Sequence, residues 1–214
     1  MRAAIFLNGS PDPEPLIQAT AGRADLVVAA DGGARHALAA GIVPDLVVGD
    51  MDSLGEDPAQ EVGRCGASLQ RYPVRKDKMD GHLAVLAAGE QGTTEADFLC
   101  ATGGKPGAFF AVPHILLTAE RIGLRSTLVA DWGLMFVIED RSRVVEGAAR
   151  DSVSIFPFSG PARGVTLEGM SYPLENADLE PGETLGFHNE LVGTEATVSV
   201  ESGVLLVVHE TSGP

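Results

Sequence analysis

A series of short, continuous apolar runs, each broken off by a turn that carries glycine or aspartate, sets the strongest limit on how this chain can fold. Ala3–Leu7 gives way to Asn8-Gly9-Ser10-Pro11, Leu26–Ala30 to Asp31-Gly32-Gly33, Leu46–Val48 to Gly49-Asp50, and Asp97–Ala101 to Thr102-Gly103-Gly104; Leu128–Ala130 completes the series. Unbroken apolar runs of this length mark strands buried on both faces, where half-exposed strands would alternate. Segments with helix character separate them: Pro15–Ala21, Ala34–Ala40 stopped by Gly41, Gly81–Ala88 stopped by Gly89, and Pro113–Ile122 capped by Gly123. Proline suits a first helical turn and glycine a helix end, so Pro113 is read as the start of the last of these. Strands alternating with helices imply an α/β domain with an open, mostly parallel sheet and helices on both faces.

The texture changes after about residue 140, where the runs shorten and turns multiply. Ser152–Pro157, Gly164–Leu167, Thr194–Glu201 and Val204–His209 read as strands of a small all-β sandwich, with Gly169–Pro173 as a turn region. Ser202-Gly203 between the last two carries a hairpin signal. The expected organisation is an α/β domain over residues 1–140 and a β domain over 150–214, joined through the charged, aperiodic stretch Glu139–Asp151.

With 15 basic against 30 acidic residues the formal charge is −15, a mean field that repels nucleic acid and anionic membrane. A nucleotide is not excluded, because net charge describes the far field and a local cation or nest of N–H groups can still bind phosphate. Cys65 and Cys100 form no CxxC and stand near no histidine pattern, so they read as buried free thiols. The apolar N-terminal stretch stops at Asn8, too short for a signal core or a membrane span, and a cytoplasmic protein is expected.

Ligands of open α/β sheets bind beyond the carboxyl ends of the strands, and here those ends carry aspartates. Asp31 closes one strand; Asp50 and Asp52 follow the next, in a Gly-Asp-x-Asp run that keeps both carboxylates on one side of an extended loop. Carboxylates so placed repel each other unless a cation neutralises them, and magnesium, which takes hard oxygen ligands, is the cation expected. The other reading is that aspartates here simply form turns. Gly32, Gly33 and Gly49 permit close approach of a ligand, and Ser53 can cap a helix or offer its hydroxyl to phosphate.

Ala30-Asp31-Gly32-Gly33-Ala34, Gly41-Ile42-Val43-Pro44-Asp45 and Val48-Gly49-Asp50-Met51-Asp52-Ser53-Leu54 together resemble the DGG and P-D-x-x-x-G-D-x-D-S signature of the thiamine pyrophosphokinases. The likeness continues through Lys76-Asp77-Lys78-Met79-Asp80, where that family has K-D-x-T-D, and through Gly169–Leu174, Leu185–Glu190 and Gly203–Val208. It implies a homodimer, each protomer an α/β nucleotide-binding domain joined to a β-sandwich that binds thiamine and dimerises, with active sites between protomers. Its implied activity is transfer of a pyrophosphoryl group from ATP to the hydroxyethyl oxygen of thiamine, giving thiamine diphosphate and AMP. Carried over by position, Asp50, Asp52 and Asp80 are catalytic and hold magnesium; Asp31, Gly32, Gly33, Asp77 and Lys105 contact the nucleotide; His188 and Asn189 contact thiamine. Asp77 and Asp80, three apart, are expected on one side of a first helical turn, where acidic residues are also favoured with no ligand at all.

The resemblance fails at three places. The family's G-G-R-x-D-H run reads Gly103-Gly104-Lys105-Pro106-Gly107-Ala108, which replaces a bidentate guanidinium with a point charge and leaves no substitute for the aspartate. Met79 and His82 stand for a threonine and a glutamate, and His188 for a serine. His188 is either a titratable substrate contact or a polar loop residue. Trp132, just past Leu128–Ala130, is read as core rather than ligand platform. These departures leave two alternatives to the thiamine reaction: the same chemistry on another acceptor alcohol, and a non-catalytic binder of nucleotide or thiamine compounds.

Overall fold

The computed structural model describes residues 1–52, 54, 60, 62–64 and 66–211; Ser53 and Cys65, for which expectations were stated, lie outside them. The chain divides into two compact units, Met1–Asp131 and Trp132–Pro214. The division falls ahead of the expected junction at 139–151, a stretch that holds the end of one strand at Glu139 and another strand at Ser142–Glu146.

In the first unit, β1 (Arg2–Phe6), β2 (Leu26–Ala30), β3 (Leu46–Gly49), β4 (Ser68–Arg71), β5 (Glu95–Leu99) and β6 (Arg125–Ala130) form a parallel sheet ordered β4-β3-β2-β1-β5-β6. β1 to β4 step outward in one direction while β5 returns to the other side of β1, so the strand order reverses at β1/β5, where open sheets leave a crevice. The apolar runs are strands for the reason the pattern gave: Ala3, Ala4, Ile5 and Phe6 are wholly buried. β4 is short and polar, and its Ser68-Leu69-Gln70-Arg71 carries no buried-strand signal. It pairs on one side only, as an edge strand.

The helices are α1 (Glu14–Ala21), α2 (Gly33–Ala39), α3 (Asp80–Glu90) and α4 (Pro106–Arg121). The last corrects the expectation at Pro113. The helix starts at Pro106, in its first turn, and Pro113 lies inside it and buried. Pro113 has no N–H, so the Phe109 carbonyl loses its helical partner, but the apolar face running through Val112, Ile115, Leu116 and Ala119 packs inward and carries the helix through. Asp77 also departs from expectation. It is exposed in a bend before α3, whose first residue is Asp80, so the two do not share a helical turn.

The second unit is a pair of antiparallel sheets. One runs β12 (Asn189–Glu190), β9 (Ser152–Pro157), β14 (Val204–Glu210), β7 (Gly133–Glu139); the other runs β11 (Leu174–Leu179), β10 (Ala162–Glu168), β13 (Glu195–Ser199), β8 (Ser142–Glu146). Phe136, Ile155 and Leu205 from the first meet Val145, Leu167 and Val198 from the second in one apolar cluster. Trp132 is half-buried at the start of this unit, and its carbonyl accepts the Thr211 N–H at 3.0 Å.

The hairpin expected at Ser202-Gly203 does not form. β13 pairs with β8 and β10, β14 with β7 and β9, so the turn carries the chain from one sheet to the other. Gly203 makes the crossing possible: φ is +107°, and a Cβ would stand 2.4 Å from the Pro161 carbonyl oxygen. Its N–H donates to Asp140 Oδ1 at 2.7 Å. Gly203→Ala therefore loses about 1–3 kcal/mol of stability from backbone strain and clash, read as a lower urea midpoint.

Candidate active site

The polar groups of the first unit converge at the carboxyl ends of β2 and β3. Parallel pairing sets Ala30 beside Val48, and the Asp31 N–H donates to the Val48 carbonyl at 2.8 Å, so Asp31 and Gly49-Asp50 leave the sheet side by side. Asp31 (φ +44°) and Met51 (φ +69°) both adopt the left-handed region, uncommon for residues with side chains, which turns the carboxylates inward instead of letting the strands run on. Gly49, at φ +153°, has no room for a side chain: a Cβ would lie 2.9 Å from Asp31 Cβ and 3.0 Å from Asp80 Oδ1.

Carboxylate oxygens of Asp31, Asp50 and Asp52 come within 4.8 Å of one another. Asp31 is 5% exposed, and its Oδ1 is buried with no hydrogen-bond partner among the described residues. A carboxylate oxygen buried without a donor is costly, and a bound cation would offset that cost. The donor set is all oxygen and close-set, which suits magnesium or a similarly hard cation. Asp80, expected as third carboxylate, borders the same cleft, while Asp31, expected at the nucleotide, is the third member of the tight trio.

Lys76 was not among the expected site residues, yet its Nζ lies 2.8 Å from Asp50 Oδ2 and 2.9 Å from Asp80 Oδ1. The hydrogen bond from Lys76 holds the Asp50 carboxyl below the usual carboxylate range, against the opposing effect of burial. Burial pushes Asp80 the other way, above that range, and Lys76 only partly offsets it. For Lys76 itself burial favours the neutral amine, but the bonds to Asp50 and Asp80 outweigh it and its pKa is raised. The sequence signal was its place in the Lys76–Asp80 run, four residues before Asp80.

The cleft has a volume of about 320 Å³ and is lined by first-unit residues. Besides the aspartates its lining includes Lys105, exposed at the start of α4, and the apolar side chains of Phe109, Val112 and Ile115 of α4 and Met79 before α3. Gly32 and Gly33 do not line it. They are glycine for packing, since a Cβ on Gly33 would meet the Phe6 carbonyl oxygen at 2.3 Å and one on Gly32 the Asn8 side chain at 2.4 Å. Asp77 does not line it either. On the β1/β5 side, Gly9 and Ser10 donate backbone N–H bonds to the Cys100 and Thr102 carbonyls, and Gly104 donates to Ser10 Oγ at 3.2 Å, which ties the loop after β1 to the loop after β5.

In the second unit His188 is exposed at φ +57°, its N–H donating to Ser154 Oγ and its Nδ1 3.4 Å from Ser152 Oγ. Its ring lies 5.8 Å from that of exposed Phe187. Asn189 is buried, and its side chain is engaged at both ends: Oδ1 accepts the Tyr172 and Glu190 N–H groups, and Nδ2 donates to the Tyr172 carbonyl at 2.7 Å. Asn189 therefore holds the Tyr172 turn against β12.

The family profile described as "Thiamin pyrophosphokinase, catalytic domain" matches residues 17–127, and that described as "Thiamin pyrophosphokinase, vitamin B1 binding domain" matches 142–205. The chain belongs to the thiamine pyrophosphokinase family. Thiamine pyrophosphokinase of Bacillus subtilis (strain 168) is 28% identical over 203 residues, spanning 93% of this chain and 95% of the relative. The crystal structure of a thiamine pyrophosphokinase from Bacillus subtilis matches with a TM-score of 0.84 at 26% identity, over 99% of this chain and 100% of that one. That of a thiamin pyrophosphokinase from Geobacillus thermodenitrificans matches at 0.82 and 28%, over 99% and 98%. Thiamin pyrophosphokinase from Candida albicans, 15% identical, shares the fold at a TM-score of 0.79 over 98% of this chain and 90% of its own. The α/β unit followed by an antiparallel β unit is thus the architecture of this family. No helix among the described residues is long and apolar enough to cross a membrane.

Cys100 is a free, buried thiol, as expected, at the end of β5 beside the cleft loops. Burial pushes it up to about 11, partly opposed by the bond between its own N–H and Asp12 Oδ2, so it is a protonated, unreactive thiol well above neutral pH. Iodoacetamide at pH 8 should leave Cys100 unlabelled in the folded protein and label it fully in denaturant, as read by peptide mass spectrometry.

Proposed function

We propose that this chain transfers the pyrophosphoryl group of ATP to the hydroxyethyl oxygen of thiamine, yielding thiamine diphosphate and AMP, with magnesium held at Asp31, Asp50 and Asp52 and faced by Asp80. The observation that carries the reading is the carboxylate trio with a buried Asp31 Oδ1 that has no hydrogen-bond partner among the described residues, in a chain whose two halves match the two family profiles. Magnesium at these oxygens would neutralise polyphosphate charge and orient the phosphorus for in-line attack, the main needs of phosphoryl transfer. The chain's own contribution is positional. Asp31 and Asp50 are set by adjacent parallel strands, Gly49 leaves room between Asp31 and Asp80, and Lys105 supplies a positive charge at the cleft for a phosphate.

The wall formed by Phe109, Val112 and Ile115 offers an apolar surface to a flat ring, and the loops after β1 and β5 border the same cleft, which supports nucleotide binding in the first unit. The second unit, with exposed Tyr172, Phe187 and His188, is assigned to thiamine and to pairing with a second copy as a homodimer. In that assignment His188 faces the substrate, while Asn189 acts through the Tyr172 turn. Transfer to a different acceptor alcohol is the second reading, favoured by Gly107 and Ala108, whose side chains offer no hydrogen bond on the exposed first turn of α4.

Purified protein with Mg-ATP and thiamine should release AMP and form thiamine diphosphate, followed by chromatography and by thiochrome fluorescence. Asp50→Asn and Asp31→Asn should each lower kcat by about 100-fold or more, on the scale of losing one transition-state charge contact. Absence of turnover on thiamine together with turnover on another alcohol would reject the acceptor; no AMP from any acceptor would reject catalysis. Lys105→Ala should raise the KM for ATP several-fold more than it lowers kcat, read in the same assay.

A further inference from the structure

The aspartates and Lys76 form one electrostatic unit whose charges do not balance. Asp31, Asp50, Asp52 and Asp80 carry four formal negative charges, while Lys76 and Lys105 carry two positive ones. The remainder is what one divalent cation cancels. Lys76 and Lys105 differ in what they do about it. Lys105 is exposed at the helix start, whereas the Lys76 side chain is only 13% exposed, hydrogen-bonded to Asp50 Oδ2, itself on a side chain 10% exposed, and ion-paired with Asp80 Oδ1 at 2.9 Å. It links the exit of β3 to the first residue of α3, from a loop belonging to neither. Asp50 Oδ1 accepts the Asp52 N–H at 3.2 Å and Oδ2 the Lys76 ammonium at 2.8 Å, so a cation that takes Oδ2 meets the ammonium already on it.

We propose that Lys76 is a placeholder cation: it neutralises Asp50 and Asp80 while the site holds no metal, and gives up Asp50 Oδ2 when a divalent cation binds. The inference rests on the metal reading of the aspartates given above. Two cations on one carboxylate oxygen repel, so occupancy by ammonium and by metal oppose each other. Without Lys76 the carboxylates, partly withdrawn from water, repel with nothing between them, and the metal-free protein is destabilised. The arrangement thereby trades affinity for the bare cation against a folded site in its absence, and lowers metal affinity until a polyphosphate arrives to share the charge.

The test is Mn²⁺ binding without nucleotide, by electron paramagnetic resonance of free Mn²⁺ or by calorimetry, on the full chain and three variants. Lys76→Met keeps the apolar stem and removes the charge; it should bind Mn²⁺ about tenfold or more tightly than the parent, melt several degrees lower without metal, and regain the parent's melting temperature at saturating Mn²⁺. Lys76→Arg, whose guanidinium grips carboxylates in a planar fork, should fold as the parent and bind Mn²⁺ more weakly, which keeps the idea testable if Lys76→Met does not fold. Asp50→Asn should bind Mn²⁺ weakly or not at all. Mn²⁺ affinity of Lys76→Met equal to or below that of the parent, with Asp50→Asn impaired, overturns the placeholder and leaves the metal site standing. For Lys76→Arg, affinity equal to or above the parent's does the same. Failure of both the parent and Lys76→Met to bind Mn²⁺ overturns both.

Discussion

Like charges held close together in a partly buried cleft are the constraint around which the first unit is built. A carboxylate such as Asp31, almost withdrawn from solvent and with no donor to Oδ1 among the described residues, is unfavourable unless the surrounding structure over-determines it. The surroundings do so at several levels. Adjacent parallel strands bring Asp31 and Asp50 to the same edge of the sheet, left-handed backbone at Asp31 and Met51 turns the chain in place, and Gly49 removes the one Cβ that would push Asp31 and Asp80 apart. Lys76 then supplies a cation from a third segment. It lowers both carboxyls, but at Asp80 burial outweighs it and the carboxyl stays raised, while at Asp50 the close bond prevails.

The α4 segment meets the site under a different compromise. Proline at 106 opens the helix where its missing N–H is harmless, and proline at 113 breaks one internal bond in exchange for an apolar face that packs inward. Among the described residues, α4 and its N-cap give the cleft one charged side chain, Lys105, and the apolar Ala108, Phe109, Val112 and Ile115. In the proposed function, selectivity along α4 would come from shape and apolar contact, with charge recognition at the aspartates and Lys105. In the second unit, Asn189 and Gly203 show the same division of labour. Each looks like a polar or flexible loop residue, and each is fixed by backbone geometry: Asn189 clamps the Tyr172 turn, and Gly203 threads the chain from one sheet to the other.

Local pattern made much of this legible. Continuous apolar runs ended by Gly or Asp identified the parallel strands β1, β2, β3, β5 and β6, because burial on both faces leaves no polar alternation. β4 escaped because Ser68–Arg71, pairing on one side only, needs no apolar run, and β8 escaped because charged residues around Glu139–Glu146 resemble a linker. The Ser202-Gly203 turn was misread as a hairpin since turn chemistry reports that the chain reverses, not which sheet receives it. Pro113 was misplaced for the same kind of reason: proline's local preference for a helix start yields to an apolar face that local rules do not see.

For the site, sequence alone determined the Gly-Asp-x-Asp run, the Asp-Gly-Gly run and the strand ends they terminate, hence a set of carboxylates at one edge of an α/β sheet and a resemblance to one family. Those features are encoded by neighbours along the chain. Tertiary structure alone decided which carboxylates meet, drawing Asp31 into the trio with Asp50 and Asp52, leaving Asp77 in solvent, showing Gly32 and Gly33 to be packing glycines, and placing Lys76 between Asp50 and Asp80. The physical reason is that these relations depend on strand pairing and on how far a flexible side chain reaches between segments, and both are long-range properties that spacing along one chain does not carry.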